Sequence, residues 1–445
     1  MQKYWSKCVI KNEVSDIYFK VLLIVFVGIV SRILTIILFD FSDFKVGDSA
    51  YYMEVGENII KYGIHGSGEQ NIVPTYFRPP IYSWFVGMIN WIFIKKMYFF
   101  FIIQSLISIL SAVLVFLLIR GYNSFYAIII GIFLSISPFE ALLNSRILGE
   151  NLASPLILCA TVILIFYGRR HLSVLIAGTM MGLAILVRDV YLLLPVFTVF
   201  FLYLFCKYKS INYFLYILAV ALILSPWYAR NYQLSEGDFF LSKGIFWQSL
   251  WFGSWEESGN WTKLSEQKII IRNKGDSYKG GLALPNYAYP VGASKEKKEE
   301  IDEHWNKRDQ KYLKNLFLEK LTNHPFDVVK TWIKKSPSLW TGTRTELFIM
   351  DLKRFSLPWY IAKSIYYLIN TTILIFAVFG IILSFRNDRL IFLLSAPIIY
   401  NILIYIPHGS SESRYSLAVY QVVIIFFAYF VATLLKKARN FRRNY

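Results

Sequence analysis

Apolar residues in this chain come in long unbroken stretches. Segments such as VLLIVFVGIV (21–30) and VVIIFFAYFV (422–431) are apolar on every face a helix would present, a pattern that suits helices surrounded by lipid. At about 20 residues per crossing, with somewhat shorter crossings tolerated, the pattern predicts membrane helices near 17–40, 98–119, 124–138, 147–167, 172–187, 190–206, 212–229, 360–385, 390–406 and 415–435. One further run, IYSWFVGMINWIFI (81–94), is about as apolar but shorter, and is closed by Lys95 and Lys96.

Charge decides how that run is read. Ten crossings put both termini on one side. With a cytoplasmic N-terminus the cytoplasmic connections carry Arg120, then Arg169 and Arg170, then Lys207 and Lys209, then Arg386 and Arg389, and the tail adds Lys436, Lys437, Arg439, Arg442 and Arg443. Every such segment is basic, as the positive-inside tendency requires. An eleventh crossing at 81–94 would place them all outside, so this run is expected to lie in the outer interface, with Pro79 and Pro80 in its first turn. The expected location is the cytoplasmic (inner) membrane, multi-pass, with both termini cytoplasmic. The chain then divides into a seven-span module (1–229) containing a first extracytoplasmic loop (41–97), a second, larger loop (230–359), and a three-span module with a basic tail (360–445). The second loop opens rich in Trp, Gly and Tyr and turns into a charged helical stretch at 295–321.

Composition agrees with this picture: of 445 residues 56% are hydrophobic, 18% aromatic and only 17% charged, which is a membrane composition. The net charge of +18 sits at the ends of apolar runs rather than among stacking aromatics on a polar domain, so it reads as a topology signal and not as a nucleic-acid surface. Cys8, Cys159 and Cys206 all lie outside the large polar loop, which implies neither a disulfide framework nor a thiolate metal site. The first apolar run has no small-residue cleavage site after it and is expected to stay as an anchor. No internal repeat is visible, so the inverted repeats of many transporters are not in view.

Polar residues cluster just outside the membrane, while the spans are almost free of ionisable groups, which argues against an ion or proton pathway. In the first loop Asp48 precedes an expected helix with Tyr52, Val55, Ile59 and Tyr62 along one face, suited to lying on the lipid surface. Asp48 is either that helix's N-cap or a carboxylate placed to act as general base on a hydroxyl, and the two roles are compatible. Arg78 stands immediately before a Pro-Pro pair that fixes the backbone, where a snorkelling arginine is the plain alternative to a ligand contact. Glu150 is expected about one turn inside the span starting at 147, with Arg146 four residues earlier as a possible ion-pair partner on the same face.

These elements carry a resemblance. An Asp followed by a Tyr-rich helix after the first span, the Arg-Pro-Pro of PTYFRPPIYSWF (74–85), SRILGENLASPL (145–156), LVRDVYLLLP (186–195), SPWYARNY (225–232) and PHGSSESRYSLAVY (407–420) together resemble bacterial polyprenyl-phosphate-dependent glycosyltransferases. These are relatives of the protein O-mannosyltransferases and lipid A aminoarabinose transferases. The resemblance covers roughly 15–232 and returns at 407–420. It implies an all-α polytopic GT-C-type bundle of about ten transmembrane helices with interfacial helices in the first loop, and an inverting transfer of one sugar from a polyprenyl-phosphate donor to a glycan, lipid or protein acceptor at the outer membrane face. It implies that Asp48 and Glu150 are the acidic catalytic positions and that Arg78, Arg188, Arg230 and Arg414 face the carrier phosphate or line its cavity, with Tyr51, Tyr52, His408 and Glu412 as candidate accessory residues. Guanidinium groups suit an anionic lipid-phosphate leaving group, and neither a nucleotide sugar nor a Rossmann domain is called for.

Two departures qualify it. The aminoarabinose enzymes carry an acid where Phe77 stands, which counts against a metal site of that kind, although His408 and Glu412 remain as possible divalent-metal ligands. The chain also runs only about ten residues beyond its last span, so acceptor choice is expected to fall to the loop 230–359. The enzyme alternative is a ligase or polymerase moving a whole glycan from a lipid pyrophosphate. A lipid-linked sugar flippase is the alternative from another class, and the apolar spans disfavour it. A purely structural membrane protein would have little reason to gather Asp48, Glu150 and four arginines on one face.

Overall fold

The computed structural model describes residues 2–38, 48–68, 71–93, 96, 98–205, 208–235, 237, 241–242, 246–254, 294–306, 309–341, 359–408 and 413–443. The protein is helical almost throughout. Its one described sheet is a two-stranded antiparallel ribbon pairing β1 (Gly66–Ser67) with β2 (Val73–Pro74). The chain divides into two compact units, one of residues 1–242, 345–398 and 417–445, the other of residues 243–344 and 399–416.

The first unit opens with α1 (Gln2–Leu38), α2 (Ser49–Tyr62), α3 (Pro80–Ile92), α4 (Tyr98–Ile119), α5 (Ser124–Ile136) and α6 (Pro138–Asn144). It continues with α7 (Glu150–Tyr167), α8 (His171–Val187), a 3-10 turn (Asp189–Tyr191), α9 (Leu194–Phe205) and α10 (Ser210–Leu234). The second unit contains α11 (Phe246–Gly253), α12 (Lys295–Asn306), α13 (Gln310–Asn323) and α14 (Pro325–Thr341). After it come α15 (Trp359–Asn387), α16 (Arg389–Leu393), α17 (Ala396–Tyr405), a 3-10 segment (Ser413–Val419) and α18 (Tyr420–Arg443). Residues 399–405 of α17 belong to the second unit and the rest of this last group, up to residue 398 and from 417, to the first.

Every expected crossing has its helix. Six described helices are long and apolar enough to cross a membrane, the bent pair α5–α6 makes a seventh, and three shorter apolar helices, His171–Val187, Asp189–Phe205 and Arg389–Tyr405, stand at the remaining positions. The bend of 44° between α5 and α6 has a local cause: Pro138 has no N–H to continue the ladder. Ser137 restarts the helix by accepting from the Glu140 N–H at 3.4 Å, and the carbonyls released at the break are taken up by α1. There Ser31 Oγ donates to the Ile136 carbonyl at 3.0 Å, and the Arg32 guanidinium donates to the Ser135 carbonyl and, at 2.9 Å, to Ser108 Oγ. Arg32 is therefore an exception to the apolar character of the spans: it is buried within α1, held there by acceptors that a broken helix leaves open.

Helices α2 and α3 cross at two glycines. A Cβ on Gly56 would lie 2.6 Å from the Ser83 carbonyl oxygen and 2.8 Å from the Gly87 nitrogen, so only a bare backbone permits this approach. The crossing buries Tyr52, Val55, Tyr82, Val86 and Ile89. Of the α2 face expected to meet lipid, Tyr52 and Val55 thus point into the protein while Tyr62 stays exposed, and a second lipid-suited stripe is on α3, where Trp84, Met88 and Trp91 stay exposed at helical spacing. Pro80 occupies the first helical position of α3, as expected for 81–94.

The second unit has its own core. Trp251 and Phe252 from α11, Ile301 and Trp305 from α12, and Leu313, Leu316 and Phe317 from α13 form one buried cluster, with Trp332 of α14 packed against it. The charged stretch 295–321 is broken into two helices where Asp309 caps α13 by accepting from the Lys311 and Tyr312 N–H groups.

Candidate active site

Asp48 occupies the N-cap position of α2 without performing the capping: its carboxylate makes no cap hydrogen bond and instead accepts from Arg78 Nη2 at 2.9 Å. Arg78 stands at a bend immediately before Pro79 (φ −63°, ψ 161°) and Pro80, with which α3 begins. Arg188, extended between α8 and the 3-10 turn, reaches the same carboxylate from the other side, with Nη1 3.8 Å from Asp48 Oδ2 and Nη2 3.0 Å from Glu150 Oε1. The four groups form a chain of alternating sign, Arg78, Asp48, Arg188, Glu150. Its ends differ: the Arg78 and Asp48 side chains keep 18% and 22% of their surface accessible, whereas Glu150 keeps 3%.

Glu150 is the first residue of α7 rather than one turn inside a longer helix. Arg146 lies in the non-helical link before it, so the expected same-face spacing between the two does not apply. At a helix start the carboxylate is favoured by the exposed N–H groups of the first turn. Gly149, which sequence reasoning passed over, makes the pairing possible: a Cβ there would sit 3.1 Å from Arg188 Cδ and 3.4 Å from the Tyr52 hydroxyl. The link itself is pinned by Gln104, which accepts from the Tyr82 hydroxyl at 2.8 Å and donates to the carbonyls of Asn144 (2.8 Å) and Arg146 (3.1 Å). The Asn151 side chain donates to the carbonyls of Leu143 and Arg146.

The tyrosines expected as accessory lie beside this chain. The Tyr52 hydroxyl is buried with no hydrogen-bond partner, and burial pushes its pKa up to about 12, so it stays a neutral phenol. The Tyr51 hydroxyl donates to Thr75 Oγ1 at 3.3 Å, and burial raises its pKa as well.

Arg230, on the last turns of α10, braces the ribbon that leads to Arg78. Its Nη1 donates to the Thr75 carbonyl at 3.1 Å and to Asn231 Oδ1 at 2.8 Å, its Nη2 donates to the His65 carbonyl at 2.9 Å, and the guanidinium lies 4.4 Å from the Trp227 ring centroid. His65 meets the same indole edge to face at 4.9 Å, and burial together with the nearby Arg230 charge lowers its pKa to about 4. Thr75 thus joins the Arg230 group to Tyr51 and so to the acid–guanidinium chain. Neither Thr75 nor His65 was singled out from sequence.

Arg414 belongs to the second unit, and its side chain lies outside the described residues, as does the whole of Glu412. His408, also in the second unit, has its ring 5.7 Å from that of Tyr405 and 5.6 Å from that of Tyr415. At the position where a metal-binding relative would carry an acid, the Phe77 ring packs 5.5 Å from Tyr51 and 4.7 Å from the Arg78 guanidinium. It offers no oxygen, so this position does not fit a metal.

Fold and helix composition define a multi-pass, all-helical membrane protein with a GT-C-type bundle. The oligosaccharyltransferase of Archaeoglobus fulgidus in its apo form matches 96% of this chain and 52% of its own, at 14% identity and a TM-score of 0.50. The same enzyme tethered to an acceptor peptide containing the NVT sequon matches 96% and 51% at 13% identity and a TM-score of 0.49. ArnT of Cupriavidus metallidurans bound to undecaprenyl phosphate matches 93% of this chain and 78% of its own, at 15% identity and a TM-score of 0.44. The chain spans about half the length of that oligosaccharyltransferase, and the likeness at such identities is one of fold. No family model matches the chain, and no curated protein does.

Proposed function

We propose that this chain is an inverting glycosyltransferase that moves one sugar from a polyprenyl-phosphate carrier to an acceptor hydroxyl at the outer face of the cytoplasmic membrane. The observation that carries this reading is the alternating chain Arg78, Asp48, Arg188, Glu150 with its accessible end at Asp48 and Arg78. In it a base and cations for a phosphate stand side by side.

In the proposed step the acceptor hydroxyl gives its proton to Asp48 as its oxygen bonds to the anomeric carbon. The bond from that carbon to the phosphate oxygen breaks, and its electron pair leaves on the phosphate, which Arg78 receives with charge-assisted hydrogen bonds. Phosphate and Asp48 compete for the same guanidinium, so a bound donor loosens the carboxylate from Arg78 when a base is needed. Glu150 stays with Arg188 and fixes its direction. Arg230 holds the ribbon from which Arg78 projects, and Arg414 is retained as a further candidate for the carrier phosphate. The acceptor is a glycan, lipid or protein.

Membranes containing the protein, incubated with sugar-labelled polyprenyl phosphate, are expected to lose label from the carrier and gain it in an acceptor. Label that moves only from a lipid-pyrophosphate glycan would replace this reading by the ligase reading. Orientation is tested separately: cysteines placed near residue 300 are expected to react with an impermeant reagent in intact cells, and cysteines at 168–171 only after lysis. The reverse pattern would overturn the assignment of both termini to the cytoplasm.

A further inference from the structure

Helix α14 has two apolar faces where a helix on the surface of a polar domain needs one. Val328, Lys335 and Leu339 are buried, with Trp332 partly so, and this face belongs to the core of the second unit. On the opposite side Phe326 is 88% exposed, Val329 43% and Ile333 66%, at spacings that line them up along one ridge. Lys330 and Lys334 follow each other one turn apart along its border.

The inner face shows what α14 is fastened to. Lys335 is buried with its Nζ donating to the Gly253 carbonyl at 2.9 Å and to the His408 carbonyl at 2.7 Å. His408 comes three residues after the end of α17, which closes the apolar stretch Arg389–Tyr405. The lysine therefore fastens α14 to the residues that follow this apolar stretch, whose last part, from residue 399, belongs to the same unit.

We propose that α14 is an interfacial membrane helix, with Phe326, Val329 and Ile333 between the headgroups and acyl chains of an anionic leaflet and Lys330 and Lys334 on the lipid phosphates. Exposed apolar side chains of this size are accommodated at that boundary. Lysines at its edge add attraction to anionic lipid that a neutral bilayer would not supply. The proposal rests on the membrane fold and the second unit alone, and it stands or falls independently of the chemistry assigned to Asp48.

The test uses the full chain in vesicles containing phosphatidylglycerol, with native cysteines replaced and single spin labels on Phe326→Cys, Val329→Cys and Ile333→Cys, and on Glu299→Cys of α12 as a water-exposed reference. Collisions with oxygen are expected to exceed those with a water-soluble nickel chelate at 326, 329 and 333, and to fall below them at 299. Labels at 326 and 333 that behave like the one at 299 would overturn the proposal. So would labels shielded from both reagents, which would mean that a second copy or another protein covers the ridge. Replacing phosphatidylglycerol by phosphatidylcholine is expected to move all three labels towards the water, and unchanged depth would overturn the role given to the lysines.

Discussion

Asp48→Asn is expected to lower turnover at saturating donor by about 10²–10⁴-fold, the usual worth of a positioned general base, while the protein still folds and binds donor. Asn caps a helix about as well as Asp, and Asp48 does not cap α2 through its side chain in any case, so a loss of turnover cannot be assigned to fraying of that helix. The amide keeps an acceptor for Arg78 and loses the charge that competes with phosphate for it. Donor affinity is therefore expected to hold or rise while turnover collapses, a combination that mere damage to the site would not give. Glu150→Gln serves as the companion: its position at the closed end of the chain, with 3% of the side chain accessible, places it too deep to meet an acceptor. Near-parent turnover in Asp48→Asn, with collapse in Glu150→Gln, would move the base to Glu150.

Arg188→Met is expected to destabilise the first unit by about 3–5 kcal/mol, the cost of stranding a buried carboxylate when its partner is removed. The guanidinium serves two acids, touching Glu150 at 3.0 Å and lying 3.8 Å from Asp48, and Glu150 is buried. The diagnostic is the double variant Arg188→Met with Glu150→Gln, which removes the stranded charge and is expected to recover much of the loss. Unfolding midpoints in detergent, read on both variants and the parent, give the comparison. A single variant within about 1 kcal/mol of the parent, or a double variant no more stable than the single, would mean that the pair is not the brace the geometry indicates.

Much of this fold was legible before any coordinates, because a lipid solvent leaves a strong mark on sequence: a crossing must be apolar over most of its length and must satisfy its own backbone. The helices at the ten expected positions, the start of α3 at a Pro-Pro pair and the helical character of 295–321 all follow from local rules. Asp48, Arg78 and Glu150 were marked by their surroundings in sequence and Arg188 by the resemblance, and the structure brings these four side chains together. Lys335 was legible in principle, as a lysine spaced with Val328, Trp332 and Leu339 on one helix face, though nothing local said what it would bind.

What sequence alone could not decide was which surface each periodic face would meet. Hydropathy scores lipid and a neighbouring helix alike, so the Tyr52, Val55, Ile59 and Tyr62 face of α2 read as lipid-facing, whereas Gly56 and Gly87 bring α2 and α3 into backbone contact and bury Tyr52 and Val55. Nor could it decide the partners of the charges. Asp48 had a local use as a cap and Glu150 a local partner in Arg146. Tertiary packing directed both carboxylates to Arg188, 140 and 38 residues away in sequence, because Gly149 leaves room for that side chain to pass. Apolar patterning is a sum over many residues and survives without knowledge of the fold. An ion pair depends on a few ångströms between two points of the chain, and only the packed structure sets that distance.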